Sequence, residues 1–279
     1  MFGKKYSAED VDILNYFYYQ LPNTQKWFRG PQPNWSRGRP IAFLGAASCF
    51  GRFVPRPYSA LIGERLGVPV LNLGYGGARA PFYYRDPGLM EHINRAAVVV
   101  IEIFSARGTG TTLIESRNDG SAFLRWSGSG AEFAFADSFF HQAWHSKRQE
   151  MPSLIADIRQ RYIEQMHSLL WRIGRPVVLL WLSQRRPEER ADYEDPAAYG
   201  FSFPHFVDRP TLNAIGQQRV NLVEVVSQIG LPQSLPARRP APAPQMRRIR
   251  FNRYYPSPEM HRLAADNLVP VLEPMVKAL

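Results

Sequence analysis

The chain has 279 residues but only one cysteine, Cys49, which excludes an internal disulfide and a cysteine-built zinc centre and fits a reducing, cytoplasmic setting. Lysine is scarce as well. Five lysines stand against 29 arginines in a net charge of +10, so the cationic surface is guanidinium rather than ammonium. Long apolar runs are missing: a stretch such as Val177 to Leu182 has the length of a strand and is far too short to span a bilayer, so no membrane insertion is expected. The first ten residues are polar and charged, without the apolar core of a secretion signal. No helix-turn-helix pattern, RNP-type strand or zinc spacing accompanies the positive charge, which disfavours nucleic acid as the partner.

What is present is a large core. Hydrophobic residues make up 45% of the chain and aromatics 13%, which excludes disorder and suits one sizeable domain. The arginines have two readings. A guanidinium fork grips carboxylate, sulfate or phosphate in a bidentate way, which suits an anionic small molecule, a carbohydrate or a nucleotide-linked ligand. It is also the default surface cation of a GC-rich genome.

Residues 1–40 read as an extension packed on the core. Val11, Leu14, Tyr18 and Leu21 fall at helical spacing, and a loop rich in Pro, Gly and Trp follows. From residue 41 to 279 the pattern alternates between strand and helix. Ile41–Leu44, Val68–Leu73, Ala97–Ile103, Pro176–Ser183 and Val220–Val226 are mostly continuous apolar runs, as in a parallel sheet covered on both faces. Helices are expected at Pro57–Leu66, Gly88–Arg95, Pro152–Ile173 and Pro210–Gln217. A last one starts at the cap Ser257-Pro258-Glu259, with Pro270 expected to kink or interrupt it. Short β–loop–α units predict an α/β doubly wound three-layer sandwich of about five parallel strands, flavodoxin-like in outline. Two segments break the rhythm. Residues 105–150 form an aromatic insert that reads as a satellite core, a lid or an oligomer contact, and residues 232–250 form a Pro/Arg-rich loop.

The segment richest in chemical information is Ile41-Ala42-Phe43-Leu44-Gly45-Ala46-Ala47-Ser48-Cys49-Phe50-Gly51, a buried strand running into a small-residue turn. It resembles the turn of the SGNH/GDSL hydrolases, with the pattern G-D-S-x-[ST]-x-G. Gly45 and Gly51 match, while Ala46 and Ala47 stand at the aspartate and the nucleophilic serine. Asn72-Leu73-Gly74-Tyr75-Gly76-Gly77 is similar to that family's second landmark, which makes Gly77 the oxyanion glycine; the alternative is a tight turn. Arg107 stands where the family's third landmark has its asparagine, and serves either to bind an anionic group or to pair with a neighbouring acid. At the fourth landmark Tyr255 and Asn252 replace histidine and aspartate, and His261 lies six positions past Tyr255.

The chain also resembles an uncharacterised bacterial family, a domain of unknown function with an SGNH-like core. Phe28-Arg29-Gly30-Pro31, Phe50-Gly51-Arg52-Phe53-Val54, Arg117-Asn118-Asp119 and Phe206-Val207-Asp208 carry that resemblance. It implies that the absence of the nucleophilic serine is a shared trait.

A displaced site is one reading. Ser48 with His261, or Cys49 with His261, is the nucleophile–base pairing this topology would bring close; the alternatives are a turn cap for Ser48 and a small buried residue for Cys49. Gly45, Asn72, Gly77 and Arg107 are then candidate oxyanion or ligand contacts. His141 and His145 have no third ligand at a metal spacing, so neither a metal nor another cofactor is expected. Two functions follow: an esterase or acyltransferase acting on an acylated or anionic carbohydrate, or a non-catalytic protein that binds an anionic glycan or nucleotide or assembles with partners, including copies of itself.

Overall fold

The computed structural model describes residues 6, 9–117, 122–189, 203–216, 220–235 and 250–278. Near the N-terminus, Tyr18–Gln20 (β1) and Trp27–Arg29 (β2) pair as an antiparallel hairpin. The helical spacing over Val11 to Leu21 therefore misleads: the run Tyr16-Phe17-Tyr18-Tyr19 suits a pleated surface, where flat rings pack across strands. The segment before the hairpin is fastened to the core by charge. Arg52 donates to both carboxylate oxygens of buried Asp10, at 3.0 and 2.8 Å, and Asp10 also accepts from the Tyr16 hydroxyl at 2.9 Å.

The central sheet is built from Ile41–Leu44 (β3), Val70–Asn72 (β4), Val98–Glu102 (β5), Val177–Ser183 (β9) and Asn221–Val226 (β10). All neighbours are parallel, in the order β4-β3-β5-β9-β10. Strand alternation sends Ala42 and Leu44 to one face and Ile41 and Phe43 to the other, and both faces are buried. That double burial explains the continuous apolar runs of the sequence. The doubly wound α/β fold with five parallel strands is the one expected.

Ala47–Phe50 (α1) is a single turn after β3. Tyr58–Leu66 (α2) and Pro258–Lys277 (α8) cover one face of the sheet through Ile62, Met260, Ala264 and Leu268. Ala80–Tyr84 (α3), Pro87–Arg95 (α4), Met151–Arg172 (α6) and Arg209–Gly216 (α7) contribute to the core on the other face. In α6 the buried stripe is Ile155, Ile158, Tyr162, Met166 and Leu169. Helix α8 begins where its cap predicts, with the Ser257 hydroxyl accepting from the Met260 N–H at 3.1 Å. It runs through Pro270 and Pro274 without interruption, contrary to expectation. Both prolines are on the exposed side of the helix, where solvent can reach the carbonyls they leave unpaired. No described helix is long and apolar enough to cross a membrane.

The insert of residues 105–150 has regular structure that its sequence hides. Ile114–Ser116 (β6), Phe123–Trp126 (β7) and Ala134–Phe135 (β8) form a small antiparallel sheet, followed by Ala136–Ser146 (α5). Leu124, Phe139, Phe140 and Trp144 join the same apolar core as the main sheet, so the segment is an extension of that core. Asn118, Asp119 and most of the Pro/Arg-rich loop lie outside the described residues.

Candidate active site

The site begins with a steric requirement at the end of β3. A Cβ on Gly45 would sit 2.4 Å from the Cβ of Cys49 and 3.0 Å from that of Glu102, so only glycine allows α1 to fold back against β5. The Tyr83 hydroxyl accepts from the Gly45 N–H at 3.0 Å and sits within 2.9 Å of the Gly45 and Leu73 carbonyls, tying two strand ends together. Gly51 ends α1 in the left-handed region at φ +79°, and its N–H donates to the carbonyls of Ala47 and Ser48. From β2 the buried Arg29 guanidinium donates to the carbonyls of Phe50, Gly51, Val54 and Pro55 at 2.6–3.1 Å. Burial pushes Arg29 down to about 10, and its carbonyl cage holds the loop after α1 in one shape.

This scaffold brings Ser48 against a residue that sequence reading overlooked. The Ser48 hydroxyl donates to Glu102 Oε1, and the Tyr58 hydroxyl donates to Glu102 Oε2 at 3.0 Å. Glu102 is buried, and that burial pushes its carboxyl up from 4.5 to about 7, against the downward pull of the two hydroxyls. A hydroxyl hydrogen-bonded to a carboxylate poised near neutrality is one whose proton can pass to that carboxylate. The signal was visible: Glu102 is the lone acid in the strand Val98-Val99-Val100-Ile101-Glu102-Ile103. Because β3 and β5 flank the point where the strand order reverses, the pair sits at the switch point where such folds bind ligands.

His261 does not complete this pair. Its Nδ1 accepts from the backbone N–H of Tyr58 at 3.0 Å, and its ring stacks on Tyr58 with centroids 5.4 Å apart. Its Nε2 has no hydrogen-bond partner among the described residues, Ser48 included. Burial, helped by the charge of Arg29, pushes the imidazole down to about 3, so it is neutral and weakly basic. Cys49 is fully buried beneath the turn, where burial and the Glu102 charge hold its thiol protonated. Asn72, read as a ligand contact, spends its side chain inside the protein. Its Nδ2 donates to the Cys49 carbonyl and to Ser59 Oγ, both at 3.0 Å, and its Oδ1 accepts from the Gly74 N–H at 2.9 Å. Asn72 and Gly45 shape the turn, and neither lines the cavity above it.

That cavity, of about 410 Å³, opens at the C-terminal ends of the strands. Ala46, Ala47 and Ser48 form part of its wall, with Gly77 after β4, Arg107 after β5 and Tyr255 before α8. Gly77 has φ +83°, and no described residue accepts from its N–H. Arg107 is both wall and ion pair: its Nη1 lies 2.6 Å from Asp137 Oδ1 at the start of α5, and its guanidinium lies 5.2 Å over the Phe135 ring. Ser105, also in the wall, has its Oγ 3.0 Å from Nδ1 of buried His205.

A second, more open groove of about 750 Å³ shares Arg79 with the first and adds Arg85, Arg117 and Arg125, with Glu115 paired to Arg125 at 2.6 Å. Several other arginines have purely internal roles. Arg185, like Arg29, is buried and donates to loop carbonyls, those of Pro204 and Val207 at 2.7 and 2.6 Å among them. The rings of His141 and His145 lie 4.7 Å apart, and among the described residues no three His, Cys, Asp or Glu side chains are placed to hold a metal.

Comparison with solved structures finds similar outlines among esterases and lipases. A family two carbohydrate esterase from Clostridium thermocellum, in complex with cellohexaose, is 13% identical, with 91% of this chain and 68% of that one covered at a TM-score of 0.41. A lipase from a goat rumen metagenome is 12% identical, with 83% and 96% covered at 0.45. A catalytic mutant of an acetylxylan esterase from Geobacillus stearothermophilus is 12% identical, with 84% and 93% covered at 0.42. No curated protein matches the chain. A family assignment does emerge from the sequence itself: residues 4–113 and 130–276 match one family over most of the chain, and the protein is a member of the domain of unknown function DUF6473.

Proposed function

We propose that this protein cleaves or transfers acyl groups on a carbohydrate, with Ser48 as the nucleophile and Glu102 as its base. The observation that carries the reading is the Ser48–Glu102 hydrogen bond at the wall of a cavity large enough for a sugar unit. Glu102 takes the Ser48 proton as the oxygen attacks the acyl carbon, and the Tyr58 hydroxyl steadies the carboxylate from the other side. A base whose pKa lies near the working pH combines availability with strength. The Gly77 N–H is the available donor for the negative charge that develops on the acyl oxygen. Set against the SGNH/GDSL turn that residues 45–51 resemble, the serine stands one position past the usual one and its partner is a carboxylate rather than an imidazole.

Turnover of p-nitrophenyl acetate and of acetylated xylo-oligosaccharides tests the reading. The wild type should hydrolyse the esters with a rate that climbs with pH through about 7 as Glu102 ionises, and Ser48→Ala should abolish it. Full turnover in Ser48→Ala contradicts the assignment.

The arginine groove supports a second reading, in which the protein holds an anionic glycan or nucleotide without turning it over. It requires saturable binding of a sulfated oligosaccharide that weakens as salt rises. Binding unchanged between low and high salt counts against it.

A further inference from the structure

Glu102 lies behind Ser48 and is not part of the cavity wall, so it can take the serine proton but does not meet the sugar oxygen that must leave. A sugar alkoxide departs slowly unless it is protonated as its bond breaks, and general acids supply about 10²–10⁴-fold to such steps. The cavity wall holds a second hydroxyl beside an imidazole. Ser105 follows β5, and its Oγ lies 3.0 Å from His205 Nδ1. The pair is fixed in place: the Ala106 N–H donates to the His205 carbonyl at 3.0 Å, and the imidazole stacks on Tyr254 at 25° with Phe203 edge-on at 83°. His205 is fully buried, whereas Ser105, Phe203 and Tyr254 line the cavity, so the imidazole reaches a bound ligand through the serine hydroxyl.

We propose that Ser105 and His205 form a proton relay that protonates the departing carbohydrate oxygen, an inference that rests on Ser48 being the nucleophile. In the first half-reaction the Ser48 oxygen bonds to the acyl carbon and its proton passes to Glu102. The bond from acyl carbon to sugar oxygen then breaks. The sugar oxygen takes the Ser105 proton, and Ser105 takes the Nδ1 proton of His205, which the relay requires to enter the step as an imidazolium. Water reverses the path: it attacks the acyl carbon, its proton returns through Ser105 to His205, and Ser48 leaves with the proton held by Glu102. One ester and one water become one acid and one alcohol, and both side chains return to their starting charge. A purely structural role for Ser105 is the competing account, since its Oγ also accepts from the Arg107 N–H at 3.4 Å.

The two accounts separate on leaving group. Nitrophenolate leaves without a proton, whereas a sugar hydroxyl needs one. Under the relay, Ser105→Ala lowers the single-turnover rate of sugar release from an acetylated xylo-oligosaccharide about a hundredfold. The burst rate of nitrophenolate release from p-nitrophenyl acetate falls by no more than about threefold, while deacylation, common to both esters, slows equally. His205→Gln shows the same asymmetry. Fluorophosphonate labelling of Ser48 in each variant, at the wild-type rate, verifies that the site is folded. Equal losses in the acylation rates of the two esters overturn the relay and leave the nucleophile standing. Labelling at Ser105 rather than Ser48 overturns it as well. If the wild type turns over neither ester, the acyl-transfer reading fails first and the relay falls with it.

Discussion

Replacing Glu102 with glutamine should stabilise the protein at pH 8 while abolishing turnover. An acid whose pKa is higher in the fold than in the unfolded chain binds more protons folded than unfolded, so the fold loses stability as pH rises between the two values. For Glu102 that window runs from 4.5, the unfolded value, to about 7, and above it the penalty is constant. At about 1.4 kcal/mol per pH unit, the full penalty comes to about 3 kcal/mol. Glutamine carries no charge to desolvate. It keeps the carboxyl's shape, accepts from Ser48 through Oε1, and can donate to a rotated Tyr58 hydroxyl. Urea unfolding of both proteins at pH 5 and pH 8 reads the effect directly. The advantage of Glu102→Gln should be below about 1 kcal/mol at pH 5 and grow to about 3 kcal/mol at pH 8. A difference independent of pH, or a variant less stable than wild type at pH 8, would refute the buried ionising carboxylate on which the proposed chemistry depends.

Other outcomes follow from the same geometry. Arg29→Met should cost at least about 3 kcal/mol in chemical denaturation, since it strips the loop carbonyls of Phe50, Gly51, Val54 and Pro55 of their donor. Arg29→Lys should recover only part of that, because an ammonium cannot reproduce the planar fork. Gly74→Ala would place a Cβ 2.2 Å from the backbone nitrogen of Phe50, and should be more damaging in thermal melts than Gly45→Ala, whose closest clash is with a side chain. Cys49 should resist iodoacetamide in the native protein and react stoichiometrically in urea; rapid native labelling would show that the thiol is not buried.

The sheet was legible because burial on both faces leaves a simple mark: runs such as Val98 to Ile101 have no polar residue to spare, and the observed strands fall within the expected runs. Helix α8 was equally plain from Ser257-Pro258-Glu259. The N-terminal hairpin was misread because a few apolar residues satisfy helical and strand periods alike, and cross-strand pairing settles the matter. The small sheet of residues 114–135 was hidden because its strands are two to four residues long and half-exposed, too short to show a period. The turn from Gly45 to Gly51 follows its strand as the sequence indicates, but which residues Ser48 would meet was beyond the sequence. Ser48 and Glu102 are 54 positions apart and meet only because Gly45 lets α1 lie on β5. His261 attracted attention as a histidine near the fourth landmark, yet its place under the sheet commits Nδ1 to the Tyr58 backbone. The arginine excess also divides once positions are known: Arg29 and Arg185 staple loops from within, while Arg79, Arg85, Arg117 and Arg125 border a groove.

Treatment of the folded protein with a fluorophosphonate, read by intact mass and peptide mapping, tests the central claim most directly. One adduct per chain, on Ser48, and its loss in Glu102→Gln, is the result expected of a serine activated by a buried carboxylate. A folded protein that takes up no label, or takes it up elsewhere than Ser48, would contradict the account.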